Sequence, residues 1–213
     1  MKIQLIGMVI ALMIALPVMG FSNATEDKNH QVHQDDEKSH ELYIDPRIQL
    51  TKHHLVLLKN SVHQLENECI KTFTQLIIET IKKNGNADST DILQIVKGLE
   101  LETTIKSIHF FCLLRSDGRG YAYANGFLPF LFLLIFNEFI IDDAYLGPAL
   151  LVQWQSPDAN TRINGKKIYD DDQQQGYGFG FIGHSYAGGT WPAYYHVFGL
   201  SMLVIIMECE TSF

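Results

Sequence analysis

The sequence predicts an α+β domain in which amphipathic helices come before an antiparallel β-sheet. An apolar stripe that starts at Leu55 and reaches Thr80 repeats at steps of three and four residues, which is typical of one long helix. From Ile105 onward, β-rich apolar runs alternate with glycine-rich turns. Because the chain has 213 residues, of which 46% are hydrophobic, it is long enough for one domain with its own core.

Local signals mark where the two predicted helices begin and end. Asp45-Pro46 marks the start of the folded part, because proline favours an extended residue before it and tolerates the first turn of a helix. Asn84-Gly85 predicts the end of the long helix. Ser89 then begins a second, shorter amphipathic helix that is expected to reach Leu101.

The second half of the domain is predicted to contain short strands. Residues 108–114 and 120–124 are expected to form a β-hairpin around the turn Arg115-Ser-Asp-Gly118. Residues 128–141 fit either a buried helix or a buried strand pair, because a continuous apolar run has no periodicity. The other predicted segments are a polar loop over residues 170–175 and strands over residues 149–155, 162–169, 176–182, 194–198 and 200–207.

The N-terminal residues predict export. Residues 1–24 combine a basic residue, an apolar run and small residues before the expected cleavage point, which is typical of a signal peptide. The alternative is that the apolar run stays as an uncleaved membrane anchor. Residues 25–44 form a polar leader that we expect to be disordered, and residues 45–213 form the single domain. We therefore expect an exported protein, either periplasmic or secreted.

Charge and cysteine content exclude two classes of protein. The formal net charge is −8, so the chain lacks the basic stripe that nucleic-acid binding requires. Its three cysteines, Cys69, Cys112 and Cys209, are too few for a disulfide-stapled scaffold. Stability must therefore come from an apolar core.

Several segments together resemble the Cache family of extracytoplasmic sensor domains. The long helix after an export signal, the segment Phe110 to Asn125 around Asp117-Gly118, the alternation Gly176 to Phe181 and the closing segments Ala193 to Phe198 and Gly199 to Ile206 are similar to that family's pattern. The resemblance implies a PAS-like antiparallel sheet of about five strands, packed on the long N-terminal helix, with a small-molecule pocket on the opposite face. It also implies that the first and last strands are neighbours, which would bring Cys112 near Cys209.

A second motif points to different chemistry. Gly183-His-Ser-Tyr-Ala-Gly-Gly189 resembles the nucleophile elbow of α/β-hydrolases, with Ala187 in place of the final glycine. Ser185 would be the nucleophile and His196 its base. Too few residues follow Ser185 to supply the remaining strands and a clearly placed acid. A serine hydrolase-like protein, incomplete as an enzyme, is therefore the alternative function.

The candidate ligand-binding residues are aromatic or polar side chains near the predicted turns, because such rings combine apolar area with a polar tip. They are Tyr123, Asn125, Trp154, His184, Tyr186, Trp191 and Tyr195. The histidines around His30 and His40 and the Asp170-Asp-Asp172 cluster lack the spacing of a metal site, so we expect no metal and no cofactor. We therefore expect a small-molecule-binding, sensor-type domain without catalysis, and a membrane protein partner is a further expectation. A structural or interaction protein without a ligand is a third possibility.

Overall fold

A computed structural model describes residues 42–126, 144–188 and 194–208. All of them belong to the second of two compact units, His40–Phe213. The predicted signal peptide, residues 128–141 and Trp191 lie outside the described residues, as does nearly all of the predicted leader. Within the described ranges, no helix is long and apolar enough to cross a membrane.

Among the described residues, the helical part consists of three helices and a short 3-10 turn. The turn is Lys52–His54, and the helices are α1 (Leu55–Val62), α2 (Glu68–Asn84) and α3 (Ser89–Gly98). The predicted single helix is therefore divided, because the side chain of Asn67 accepts hydrogen bonds from the backbone N–H groups of Cys69 and Ile70 and starts α2 anew. The predicted stop is confirmed, since Gly85 ends α2 with a φ of 90°.

In the described ranges, the sheet part consists of six strands, and two further short strands form a separate pair. The strands are β1 (Tyr43–Ile44), β2 (Gln49–Thr51), β3 (Asn86–Asp88), β4 (Ile105–Arg119), β5 (Tyr121–Gly126), β6 (Ala144–Ile163), β7 (Lys166–Gly188) and β8 (Tyr194–Glu208). The main sheet has the order β1-β4-β8-β7-β6-β5, and β4 also pairs with β6. Strands β4, β8, β7 and β6 thus form a closed ring.

The closure occurs where the end of β4 meets the tip of the β6–β7 hairpin. Leu114 to Asp117 pair antiparallel with Asn160 to Ile163, while the same stretch of β4 pairs with β8 on its other side. At Gly120 the chain turns with a φ of 133°, and β5 continues along β6. A Cβ at Gly120 would lie 2.1 Å from the carbonyl oxygen of Gln155, so only glycine fits this turn.

The predicted α+β fold class is wrong, because the structure is mostly β-sheet, with 57% strand, 28% helix and no long N-terminal helix among the described residues. The predicted hairpin is also wrong: β4 runs through its supposed turn, and β5 pairs with β6 instead. Residues 170–175 form part of β7 and not the predicted loop. Backbone pairing with β6 and β8 continues in this segment, although it contains polar residues such as Gln174. The predicted strand over residues 162–169 is interrupted by the β6–β7 turn at Asn164-Gly165.

Two clusters of buried side chains form the core. The first joins α2 and α3 to one face of the sheet and includes Phe73, Ile77 and Ile92. The second fills the ring and includes Trp154, Phe181 and Val197. Because the strands of the ring have side chains on both faces, the same strands contribute to both clusters.

The predicted adjacency of the first and last long strands is confirmed, since β4 and β8 pair over almost their whole length. Cys112 lies opposite Ser201 in this pairing and is a buried free thiol. Burial raises the pKa of the Cys112 thiol to about 12, which keeps it protonated and unreactive. Cys209 lies outside the described residues.

Asn164 joins the hairpin tip to β4, and its replacement tests how much this junction contributes. Its side-chain oxygen accepts a hydrogen bond of 2.9 Å from the Leu113 N–H, and its own N–H donates one of 2.8 Å to the Leu113 carbonyl. Asn164→Gly keeps the φ of 52° accessible but removes the side-chain bond, so we expect a loss of about 1 kcal/mol in the free energy of unfolding. Asn164→Ala adds backbone strain of roughly 1 kcal/mol.

Urea unfolding of the three proteins measures both effects. If the Asn164→Gly variant is as stable as the native chain, that result would contradict this role of the asparagine side chain.

Candidate functional site

The ring closure places neighbouring residues of β4 and β8 on opposite faces of the sheet. Ser116 and Tyr195 point into the ring, where Ser116 is fully buried and Tyr195 is 3% exposed. Asp117 and His196, one residue further along each strand, point outward and are about one-third exposed. Because side chains alternate along a strand, one segment of paired backbone supports two different polar sites.

The inner site is a buried hydrogen-bond network. The Ser116 hydroxyl lies 2.7 Å from the Thr161 hydroxyl and 2.9 Å from the Tyr195 hydroxyl. The side-chain nitrogen of Gln174 donates to both Ser116 and Thr161. Burial raises the pKa of Tyr195 to about 12 despite its hydrogen bonds, so the phenol stays neutral and can donate. This network holds the ring together at its closure.

The outer site lies on the opposite face of β4, β7 and β8, and we call it the histidine face. Its residues are Leu113, Arg115 and Asp117 of β4, Ile182, His184 and Tyr186 of β7, and Tyr194, His196, Phe198 and Leu200 of β8. The strand register aligns them in rows, because cross-strand partners project from the same face. The rows are Leu113–Leu200–Ile182, Arg115–Phe198–His184 and Asp117–His196–Tyr186.

Asp117 is the electrostatic centre of the histidine face. One of its oxygens contacts Nδ1 of His196, and the other accepts a hydrogen bond of 2.8 Å from Nε of Arg115. Burial alone would raise the pKa of Asp117, but the hydrogen bonds from His196 and Arg115 outweigh it and lower that pKa. Asp117 therefore stays ionised and fixes the orientation of the His196 ring.

His184 completes the cluster, and among the described residues no carboxylate forms an ion pair with it. Its ring centroid lies 4.8 Å from that of His196 and 6.3 Å from that of Phe198, and both contacts are edge-on. Burial, together with the charge of His196, lowers the pKa of His184. His184 is therefore mostly neutral at pH 7 and packs as an aromatic ring.

The structure separates the two residues of the predicted hydrolase pair. Ser185 is 2% exposed and lies opposite Val197, which is buried in the ring cluster, whereas His196 is on the outer face. The segment around Ser185 is a strand that continues to Gly188 and pairs antiparallel with β8, so it has no strand-to-helix turn at the serine. Ser185 and His196 therefore do not form a nucleophile–base pair.

The predicted ligand-binding residues are distributed over three places. His184 and Tyr186 lie on the histidine face, while Trp154 and Tyr195 are buried inside the ring. Tyr123 and Asn125 lie on β5, the strand at the end of the sheet order. Sequence reasoning missed Asp117, Arg115 and Phe198 as part of a site, although the alternation Leu113-x-Arg115-x-Asp117 on an uninterrupted strand was a signal for them.

One groove in the helical part is separate from the predicted ligand-binding residues. A groove of about 490 Å³ lies between α2 and α3, and none of the predicted ligand-binding residues lines it. In the described parts of the chain, no group of three or more histidine, cysteine or acidic side chains is arranged to hold a metal ion.

A separate buried polar cluster lies where β1 meets β4. Asp45 is 1% exposed and accepts hydrogen bonds of 2.9 and 2.6 Å from the Arg47 side chain, which hold the pKa of Asp45 below its ordinary value. His109 is buried beside them and stacks on Tyr43 at 5.1 Å between ring centroids. Within the described residues no group hydrogen-bonds its Nε2 atom. Burial lowers the pKa of His109 to about 4.

No family model matches this chain, and searches of curated proteins and of solved structures found no similar protein.

The low pKa of His109 predicts a pH dependence of stability. In the unfolded chain a histidine titrates near pH 6.5, so between about pH 6.5 and pH 4 the unfolded state binds the proton more readily than the folded state. The free energy of unfolding should therefore fall as the pH drops through this window, by up to about 3 kcal/mol from this group.

Urea unfolding at several pH values, for the native chain and for His109→Gln, isolates this contribution. We expect the native chain to lose stability relative to the variant as the pH falls from 7 to 4. A constant difference between the two proteins would contradict the assigned burial of a neutral His109.

Proposed function

We propose that this protein is a non-catalytic binding protein that docks a short segment of a partner protein on the histidine face. The observation that carries the proposal is the exposure of large apolar side chains there. Tyr194 is 65%, Ile182 44%, Tyr186 40% and Leu200 38% exposed, although all four lie on paired strands. Clustered apolar side chains left in contact with water mark interaction sites.

The composition of the histidine face supports a protein partner. The ten residues of the face are three aromatic residues, two histidines, one arginine, three aliphatic residues and Asp117. None of them is a lysine or a glutamate. Protein interfaces are enriched in aromatic residues and arginine and depleted in lysine and glutamate. Among the described residues, the histidine face is an open strand surface and not a cleft of the kind that usually encloses a small molecule.

The size of the face supports a short docked segment. Its residues on β8 run from Tyr194 to Leu200, which corresponds to a length of about 20 Å along the strand. Its width is about 10 Å, measured from the first to the third of its three strands. This footprint is well below the roughly 800 Å² that each partner of a standard interface buries. A stable dimer of two such faces is therefore disfavoured, whereas an extended peptide segment fits.

Catalysis finds no support in the same geometry. His196 is oriented by Asp117 like a general base, but Ser185 is on the other face of the strand pair. The aromatic neighbour of His196 in its row is Tyr186, whose hydroxyl is a weak nucleophile. We include export in the proposal, because the signal-like residues 1–24 suggest that the partner is met outside the cytoplasm.

Site-specific photo-crosslinking in the source cells tests the docking surface. A photoreactive p-benzoylphenylalanine at position 194 should give a discrete adduct with one other protein. The matched control is position 56 on α1, because Val56 is 68% exposed and distant in sequence from the histidine face. We expect no corresponding adduct from that position.

A second substitution shows whether the adduct depends on the histidine face. Leu200→Asp places a charge in the apolar row and should remove the adduct from position 194, whereas Val56→Asp should leave it unchanged. An adduct that survives Leu200→Asp, or that position 56 gives equally, would overturn the proposal.

A further inference from the structure

Two arginines lie directly opposite each other where the ring closes. Arg115 of β4 pairs in register with Arg162 of β6, and both side chains are exposed. Directly opposed residues on antiparallel strands have Cβ atoms about 5 Å apart, and like charges on such residues are unfavourable. Arg162 in turn lies opposite Lys167 of β7. We call Arg115, Arg162 and Lys167 the cationic row.

This concentration of positive charge is local. The whole chain carries a formal net charge of −8, so the three cations of this row have the opposite sign to the net charge of the chain. Asp117 is the acidic side chain that contacts Arg115, and it is shared with His196. Among the described residues, no ion pair is formed by Arg162.

The arginine groups that face outward match a carboxylate. Arg115 uses its Nε atom for Asp117, and its side chain is 53% exposed. A planar guanidinium binds a carboxylate through two parallel hydrogen bonds, which is stronger than a single contact. An anion between Arg115 and Arg162 would also remove the repulsion between them.

The cationic row adjoins the apolar row of the histidine face. Leu113 precedes Arg115 by two residues on β4, so their side chains share a face about 7 Å apart. Residues i and i+2 of an extended peptide have the same spacing and also share a face. A peptide with an acidic and an apolar side chain at these positions matches both rows at once.

We infer that the partner segment carries an acidic side chain that binds between Arg115 and Arg162, while an apolar side chain two residues away packs on Leu113 and Leu200. This inference rests on the proposed function, because it specifies the chemistry of the segment that the histidine face docks. It assigns Arg162, outside the histidine face, as a specificity-determining residue.

Two synthetic peptides test the acidic requirement: acetyl-Glu-Ala-Leu-amide and its uncharged counterpart acetyl-Gln-Ala-Leu-amide. Each is titrated into the full chain at low salt while backbone amide NMR signals are followed. We expect the glutamate peptide to bind at least about fivefold more tightly and to shift signals at both Arg162 and Leu200. Equal binding of the two peptides would overturn the inference.

Substitutions separate recognition from structure. Arg162→Gln should abolish the preference for the glutamate peptide, and it should leave the Tm unchanged or raised, because it removes a like-charge contact. Lys97→Gln on α3 is the matched control, since it removes an exposed positive charge elsewhere and should keep the preference. A lowered Tm for Arg162→Gln, or a preference that survives it, would show that Arg162 has a different role.

The outcomes distinguish this inference from the proposed function. An adduct at position 194 together with no preference for glutamate would reject the acidic requirement and leave the docking surface in place. Shifts at Arg162 caused by inorganic phosphate but not by the glutamate peptide would show a general anion site and would also reject the inference. Failure of both the adduct and the peptide shifts would reject the docking surface itself.

Discussion

The pairing of β4 with two neighbours at its C-terminal end is the constraint on which the rest of the structure depends. Because Leu114 to Asp117 bond to β8 on one side and to β6 on the other, their side chains can project only into the ring or away from it. Ser116 therefore lies in the buried network, and Asp117 lies on the outer surface. A shift of one residue in this register would exchange the two.

The closure also explains why unfavourable features lie together at this end of the sheet. The buried network contains Gln174, whose side-chain oxygen has no hydrogen-bond partner among the described residues, and the outer surface opposes Arg115 to Arg162. Both arrangements cost stability, because unpaired buried polar atoms and opposed like charges are each unfavourable. The same end of the sheet carries the exposed aromatic side chains on which the proposed docking depends.

The helical part was largely predictable from the sequence, because its signals are local. The asparagine-glycine stop after α2 and the start of α3 near Ser89 follow from capping chemistry within a few residues. The break before α2 was missed, since the apolar stripe continues across it and only the capping side chain of Asn67 marks it. Local patterns therefore locate helix ends better than helix interruptions.

The sheet and its site were less predictable, because strand length and pairing are decided by distant residues. Asp117-Gly118 has the composition of a turn, yet cross-strand pairing with β6 and β8 keeps it extended. His184 and Tyr186 were identified from their chemistry, but their association with Asp117 depends on the register of three strands. That register depends on pairing between strands far apart in sequence, so no single local pattern specifies all of it.

Amide hydrogen exchange at the ring closure tests the account most directly. In an antiparallel strand successive N–H groups point to alternate neighbours, so β4 is protected at every residue from Leu114 to Asp117 only if both β8 and β6 are paired with it. We expect slow exchange at all four amides and at Asn160 and Arg162, whose N–H groups point to β4, as does that of Asn164, which donates to the Leu113 carbonyl. Alternating fast and slow exchange along β4 would show an open edge, and it would contradict the closed ring and the surfaces that depend on it.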